Sequence, residues 1–205
     1  MPATLLVKNA RLSFDKNLFT PSKKGKYTTN IIVSDQTEFV RLIGGKKVAI
    51  KRADLQSILD EVLKEKFKKL PAKYENWAIR KNVNANSADS GERYDGYQDD
   101  DGIYFAPGRA AKNRPAFVRR DGSQINTTSE DGLAEAMRTF YGGCYVAAKI
   151  NLGAYETTED GVSKRGVTSF LEGLQFYRDG ERFSKSEATT EGFESVPEDN
   201  DEEDL

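Results

Sequence analysis

Apolar and polar positions alternate from Gly143 to Tyr155, and a second β-rich run covers Val167–Tyr177. Between them lies Thr157–Gly161, with Asp160-Gly161 as a natural corner, and Asp179-Gly180 ends the second run. The stretch Phe140–Phe183 is therefore expected to be a long β-hairpin, bulged near Gly153 and Gly173. Two strands alone are marginal in water, so this hairpin needs partners from earlier in the chain. Leu5–Phe14 is one candidate. Strict alternation there sets Val7, Asn9 and Arg11 on one face and Leu6, Lys8, Ala10 and Leu12 on the other. Tyr27–Val33, β-branched and aromatic, is a second, pairing with the first across the basic loop Asp15–Lys26. Gly102–Pro107 and Ala116–Arg120 read as short strands, the latter turned by Asp121-Gly122.

Three segments have a different period. Leu55, Ile58, Leu59, Val62, Leu63 and Phe67 recur at three- and four-residue spacing, which predicts a helix over Asp54–Leu70 with Asp54 as cap and Pro71 beyond its end. Its other face carries Lys64, Lys66, Lys68 and Lys69, as a solvated face does. Asp35–Ile43 is expected as a short helix stopped by Gly44-Gly45, and Asp131–Tyr141 as another, with Leu133, Ala134, Met137 and Phe140 along one side. Ala72–Asp101 is polar and loop-like; a loop of that length in a compact domain is usually functional or mobile. Short strands with interposed helices make the chain mainly β with added helices (α+β), suited to a small, partly open barrel with additions.

Composition removes several kinds of chemistry. There is no histidine, which excludes Ser-His-Asp and Cys-His catalysis, and the single cysteine, Cys144, excludes a disulfide framework or a cysteine zinc site. Cys144 falls within a strand pattern and is expected to be a buried thiol. No apolar run approaches the roughly 20 residues of a membrane span, and the N-terminus shows no secretory pattern. A soluble protein of a reducing compartment is expected. The net charge of −2 conceals a division: residues 184–205 hold nine carboxylates and one lysine, a net −8, which leaves +6 on residues 1–183. The chain thus reads as a folded body, 1–183, with a disordered acidic tail, 184–205. A basic body with an acidic tail is a layout of proteins that handle nucleic acid, although the tail would equally serve solubility.

Cations interleaved with aromatics are the main candidate chemistry, since cations track phosphates while bases stack on rings. Three clusters qualify: Lys23, Lys24, Lys26 and Tyr27; Lys73, Tyr74, Trp77, Arg80 and Lys81; and Tyr94, Tyr97, Tyr104, Phe105, Arg109, Lys112 and Arg114. Rings inside strands, such as Tyr27 and Phe105, are equally candidates for the core, whereas Trp77 and Tyr94 lie in polar segments that favour surface roles. The carboxylates Asp95, Asp99, Asp100 and Asp101 offer oxygens of the kind that nucleases use to hold metal, but DGYQDDDG lacks the calcium-loop spacing and reads better as an acidic loop. No phosphate-loop glycine motif occurs, and no cofactor is implied.

The stretches FYGGCYVAAKI, GVTSFLEGLQFYRDGERF and LLVKNARLSF resemble a family of tailed-phage single-stranded DNA-binding proteins. The matching features are Gly142–Val146, Gly166, Leu174-Gln175 and Arg178-Asp179-Gly180-Glu181. The resemblance implies an OB-fold, a small five-stranded barrel with inserted helices and long loops. It further implies a non-catalytic protein that coats single strands during phage replication or recombination, in the cytoplasm of an infected bacterium. Tails of such proteins commonly close on Phe; this one closes on Asp201, Glu202, Glu203, Asp204 and Leu205, the positions expected to contact replication or recombination proteins. Two alternatives stand beside this reading: a metal-dependent nuclease using Asp99–Asp101, and a virion or assembly β-barrel.

Overall fold

A computed structural model describes residues 3–14, 16–159 and 161–183. The expectations for residues 184–205, and for Asp160 at the hairpin corner, lie outside the described residues. Among the described residues there are twelve strands in one sheet and three α-helices. No helix among them is long and apolar enough to cross a membrane.

The central hairpin is present as β11 (Tyr145–Glu159) and β12 (Val162–Arg178), paired antiparallel along their whole length. Gly161, at φ +77°, supplies the left-handed residue that the turn requires. One expected bulge exists: Lys149 faces Gly173 while Ile150 faces Leu171, so Glu172 is extra. Gly153 is not bulged but pairs regularly with Thr168. Its missing side chain serves another purpose, because a Cβ there would lie 3.0 Å from Phe170 Cε2. The Phe170 ring rests on bare backbone.

β1 (Ala3–Ser13) pairs with β11 on one side; on the other it meets β3 (Asn30–Ile32) and β4 (Glu38–Ile43). Its facing corrects the strict alternation. Val7 faces Ala148 and Ala10 faces Val146, so β1 carries one extra residue between them, with Asn9 at φ +52°. The bulge inverts parity: Leu5 and Val7 point inward before it, Ala10 and Leu12 after it. The expected strand Tyr27–Val33 is two strands, β2 (Lys26–Thr28) and β3, with different partners. Thr29 divides them, buried, donating its hydroxyl to the Ser13 carbonyl at 2.6 Å. Within the basic loop, Lys16–Phe19 forms a short helix, α1, that buries Leu18 and Phe19.

Asp35–Ile43 is not a helix. It contributes β4, which forms a hairpin with β5 (Lys46–Ile50). Gly44 and Gly45, at φ +55° and +80°, are the turn of that hairpin rather than a helix stop. α2 (Leu55–Phe67) matches its apolar stripe, burying Leu55, Ile58, Leu59, Val62 and Leu63. Asp54 acts one turn earlier than expected, accepting from the Lys51 amide at 2.8 Å. α3 (Glu130–Thr139) starts at Ser129, whose hydroxyl accepts from the Gly132 amide. Its buried side is Ala136 and the following Phe140; Met137 faces solvent at 53 % exposure.

The long polar region supplies two short strands, β6 (Glu75–Asn76) and β7 (Ile79–Lys81). β6 runs parallel to β12 at Gly166 and Val167, while β7 pairs with β8 (Ile103–Phe105). Since β8 pairs with β3 and β3 with β1, the sheet curls back toward β12, which the short β6 and β9 (Gly108–Ala110) meet. β9 joins β2 to β12, and β10 (Ala116–Val118) lies parallel to β12 at the Glu172 bulge. The expected class, mainly β with helices in a partly open barrel, is the observed one. The strands outnumber five because one run divides at Thr29 and another between β8 and β9, and because β4–β5, β6–β7 and β10 are added. Leu5, Leu12, Ile31, Phe105, Phe117, Phe140 and Ile150 fill the interior, and Cys144 is buried with them, as expected.

Candidate nucleic-acid interface

Alternation along β12 decides what the sheet offers to solvent. Val167, Ser169 and Leu171 point inward, and Thr168 and Phe170 point outward. Phe170 faces Asn151, which faces Thr4; the Thr4 hydroxyl donates to Asn151 Oδ1 at 2.7 Å. An open cleft of about 720 Å³ lies over this row. Lys26 of β2 and Arg109 of β9 border it, as do Trp77 and Arg80 of the β6–β7 segment.

The strand break between β6 and β7 sets Trp77 in place. Asn76 Oδ1 accepts from the amides of Ala78 and Ile79, at 3.1 and 2.9 Å, turning the chain so that the indole stands outward at 47 % exposure. The Arg80 guanidinium lies 4.5 Å from the indole ring. Trp77 Nε1 donates to Glu75 Oε2 at 2.8 Å, and the Tyr155 hydroxyl donates to the same oxygen at 2.8 Å. These two donors hold the Glu75 carboxyl below its ordinary value, Trp77 contributing most. Tyr155 is pushed up to about 12, first by burial and then by its bond to Glu75.

Because the Glu75 pKa is depressed by the fold, its grip on the indole is present above the ordinary carboxylate value and is lost as pH falls through the depressed one. Fluorescence of the sole tryptophan is expected to change with an acidic midpoint below that of a free glutamate, and Glu75→Gln should remove the transition. An unchanged profile in that variant would break the link.

Arg109 is held rigidly: Nη1 donates to the Leu171 carbonyl at 3.1 Å and to Glu172 Oε1 at 2.9 Å, and Nε to the Asn113 carbonyl at 2.9 Å. Among the described residues, the ion pairs include neither Lys26 nor Arg80. Lys23, Lys24 and Lys112 are exposed nearby, since the Ala111 amide bonds the Gly25 carbonyl and ties the two basic loops together.

The remaining expected residues divide otherwise. Tyr27, Tyr97, Tyr104 and Phe105 are buried, so their rings are taken up by packing and offer bases no face in this arrangement. Burial pushes the Tyr97 hydroxyl up to about 12. Arg114 turns inward to the Thr127 carbonyl at 2.6 Å. Lys73 and Lys81 are exposed but do not border the cleft. Tyr94 is 37 % exposed and packs edge-on against Phe14, 4.8 Å between centroids, in a separate aromatic patch. In the acidic loop Asp100 pairs with Arg93, and Asp99 accepts from the Asp101 amide. No group of three or more His, Cys, Asp or Glu among the described residues is placed to hold a metal ion. Phe170 and Asn151 were not candidates from the sequence. The signal for Phe170 was the strand parity itself, which turns it outward between inward Ser169 and Leu171.

The family model described as Enterobacter phage Enc34, ssDNA-binding protein, matches residues 3–205. The chain belongs to this family. A curated relative, "Putative protein p50" of Acyrthosiphon pisum secondary endosymbiont phage 1, is 28 % identical over 182 residues, covering 86 % of this chain and 84 % of the relative. The single-stranded DNA-binding protein of bacteriophage Enc34 has a similar solved structure, with a TM-score of 0.59 at 15 % identity over 91 % of this chain and 87 % of that one. Its complex with ssDNA aligns at 0.56 and 17 % identity, over 88 % and 89 %. At such identities the likeness to the Enc34 protein carries the shared OB-like open sheet, and the side chains of this family member have to be read from its own geometry.

Proposed function

We propose that this chain is a non-catalytic phage protein that coats single-stranded DNA with little sequence preference during replication or recombination, in the cytoplasm of the infected bacterium. The observation that carries this reading is one cleft with two half-exposed rings, Trp77 and Phe170, and three cations, Lys26, Arg80 and Arg109. Rings stack on any base and cations neutralise any phosphate, so such a cleft binds strands without reading them. Family membership supports the same ligand. The test is oligo-dT titration followed by tryptophan fluorescence at several salt concentrations. Log K is expected to fall against log salt with a slope of about −0.7 per neutralised phosphate, hence roughly −2 for three cations. A slope near zero, or no change in fluorescence, would remove the cleft from the account.

The body, 1–183, and the acidic tail, 184–205, divide the work in this proposal. The tail's net −8 lies on the same chain as a +6 body, so it competes with phosphates for the cleft cations. DNA displaces it and frees Asp201–Leu205 for replication or recombination partners. Ending the chain after Phe183 is expected to tighten dT binding at low salt and to matter less at 300 mM, where screening reaches within about 6 Å. Equal affinities of the two forms at low salt would leave the tail a solubility role only.

A further inference from the structure

A second groove, of about 780 Å³, lies beside the first on the same outward side of the sheet. Register makes the two continuous. Thr4, Asn151 and Phe170 form one row across β1, β11 and β12, and Leu6, Lys149 and Gly173 form the next outward row. The bulged Glu172 borders both grooves, and its bond to Arg109 keeps its carboxylate on the side of the first. Beyond it the second groove collects Lys8, Lys47, Arg120 and Lys149, four cations from four parts of the chain, around Glu172 as the one acid. Tyr177, 40 % exposed, stands at its border. Lys149 is exposed on β11, and Lys47 on β5 has no ion-pair partner among the described residues.

We infer that the second groove is a continuation of the DNA track, in which the strand leaves the Trp77–Phe170 cleft, crosses the sheet at Asn151 and Lys149, and runs on between Lys8, Lys47 and Arg120. This rests on the ligand class proposed above. The occupant is the same polyanion, because the lining holds four cations to one acid, Lys8 being also paired with Glu38 at 3.9 Å, and the one carboxylate bordering both grooves, Glu172, is already bonded to Arg109. The two grooves differ in what they contribute. The first holds two exposed rings and three cations beside Glu172; the second holds one exposed ring, Tyr177, with part-buried Phe176 behind it, and four cations. The second therefore adds phosphate contacts more than stacking, and it engages only strands too long for the first.

The experiment compares short and long oligo-dT on the full chain, about 4 and about 12 nucleotides, within the range of about 4–16 occupied by an OB fold. The variant is Lys47→Glu with Lys149→Glu, both exposed on strand faces, so folding is expected to persist. The wild type should bind the long strand more tightly and with a steeper salt slope. The variant should bind the short strand as the wild type does. For the long strand its slope should flatten by about 1.4, and at 0.1 M salt its affinity should fall on the order of twentyfold, from about 0.7 log unit for each of two lost phosphate contacts. If the short strand binds and the variant matches the wild type on the long one, the track ends at the first cleft and this inference is wrong. If the short strand fails to bind the wild type, the ligand reading itself falls, and the inference with it.

Discussion

The double variant Trp77→Ala, Phe170→Ala is expected to weaken oligo-dT binding by about 2–6 kcal/mol, since each base–aromatic stack is worth about 1–3 kcal/mol. At about 1.4 kcal/mol per tenfold, that is a loss of roughly thirtyfold to twenty-thousandfold. Neither ring is a core residue: both are nearly half exposed, and the one polar tie of the indole is to Glu75. Thermal unfolding should therefore stay close to wild type while affinity collapses, and that combination separates a binding role from a folding one. The single variants should each lose part of the total. Phe170→Ala is the sharper test, because it leaves the fluorescent indole in place and reports whether the β12 ring contributes at all. A double variant that binds dT as the wild type does would show that strands pass elsewhere.

Gly143→Ala is expected to cost roughly 2–6 kcal/mol of stability. Gly143 sits at φ +108°, a region that side chains avoid, at a strain of about 1–3 kcal/mol. In addition, a Cβ there would lie 2.0 Å from the Glu181 carbonyl oxygen, and forcing the backbones apart costs a further 1–3 kcal/mol or so. The contact cannot relax cheaply. The Gly143 amide donates to the Leu12 carbonyl, Arg11 donates to the carbonyls of Gly143 and Glu181, and the Phe183 amide donates to Gly142. Together these fasten the segment after β12 to the start of the barrel. Gly122→Ala is the control: φ is +91°, but nothing lies within 4 Å of the added methyl, so only the strain remains. Urea unfolding should rank Gly143→Ala clearly below Gly122→Ala, and equal midpoints would refute the steric part.

Long regular elements were legible in the sequence because one periodicity dominated each. The α2 stripe and the β11–β12 alternation are of this kind. The errors fall where a single residue redirects the chain. Asn9 inserts a bulge and exchanges the two faces of β1, which no alternation rule shows without the partner strand. Gly44-Gly45 reads as a helix stop, yet two short apolar runs joined by a glycine pair also make a hairpin, and that is what forms. Part of the cleft was readable: Lys26, the pair Trp77 and Arg80, and Arg109 come one from each of the three clusters, and the curl of the sheet brings them together. Tyr97 sat in equally polar surroundings, yet packs against Tyr104 of β8 at 5.1 Å inside a small satellite core. Local composition cannot distinguish a ring turned to solvent from one turned under its own loop.

Gly153 carries a consequence for how fast strands come and go. With one side of the Phe170 ring laid against peptide backbone, the ring has few orientations left to lose when a base arrives on its open side. Ordering an unrestrained side chain at an interface costs about 0.5–1.5 kcal/mol, and here most of that entropy is surrendered during folding instead. The gain belongs to the residence time of the complex more than to the encounter rate, because a ring already in its bound pose does not spring away when a neighbouring contact breaks. In the proposed stacking role of Phe170, a glycine in the middle of a fifteen-residue strand trades a little strand stability for slower release of the ligand.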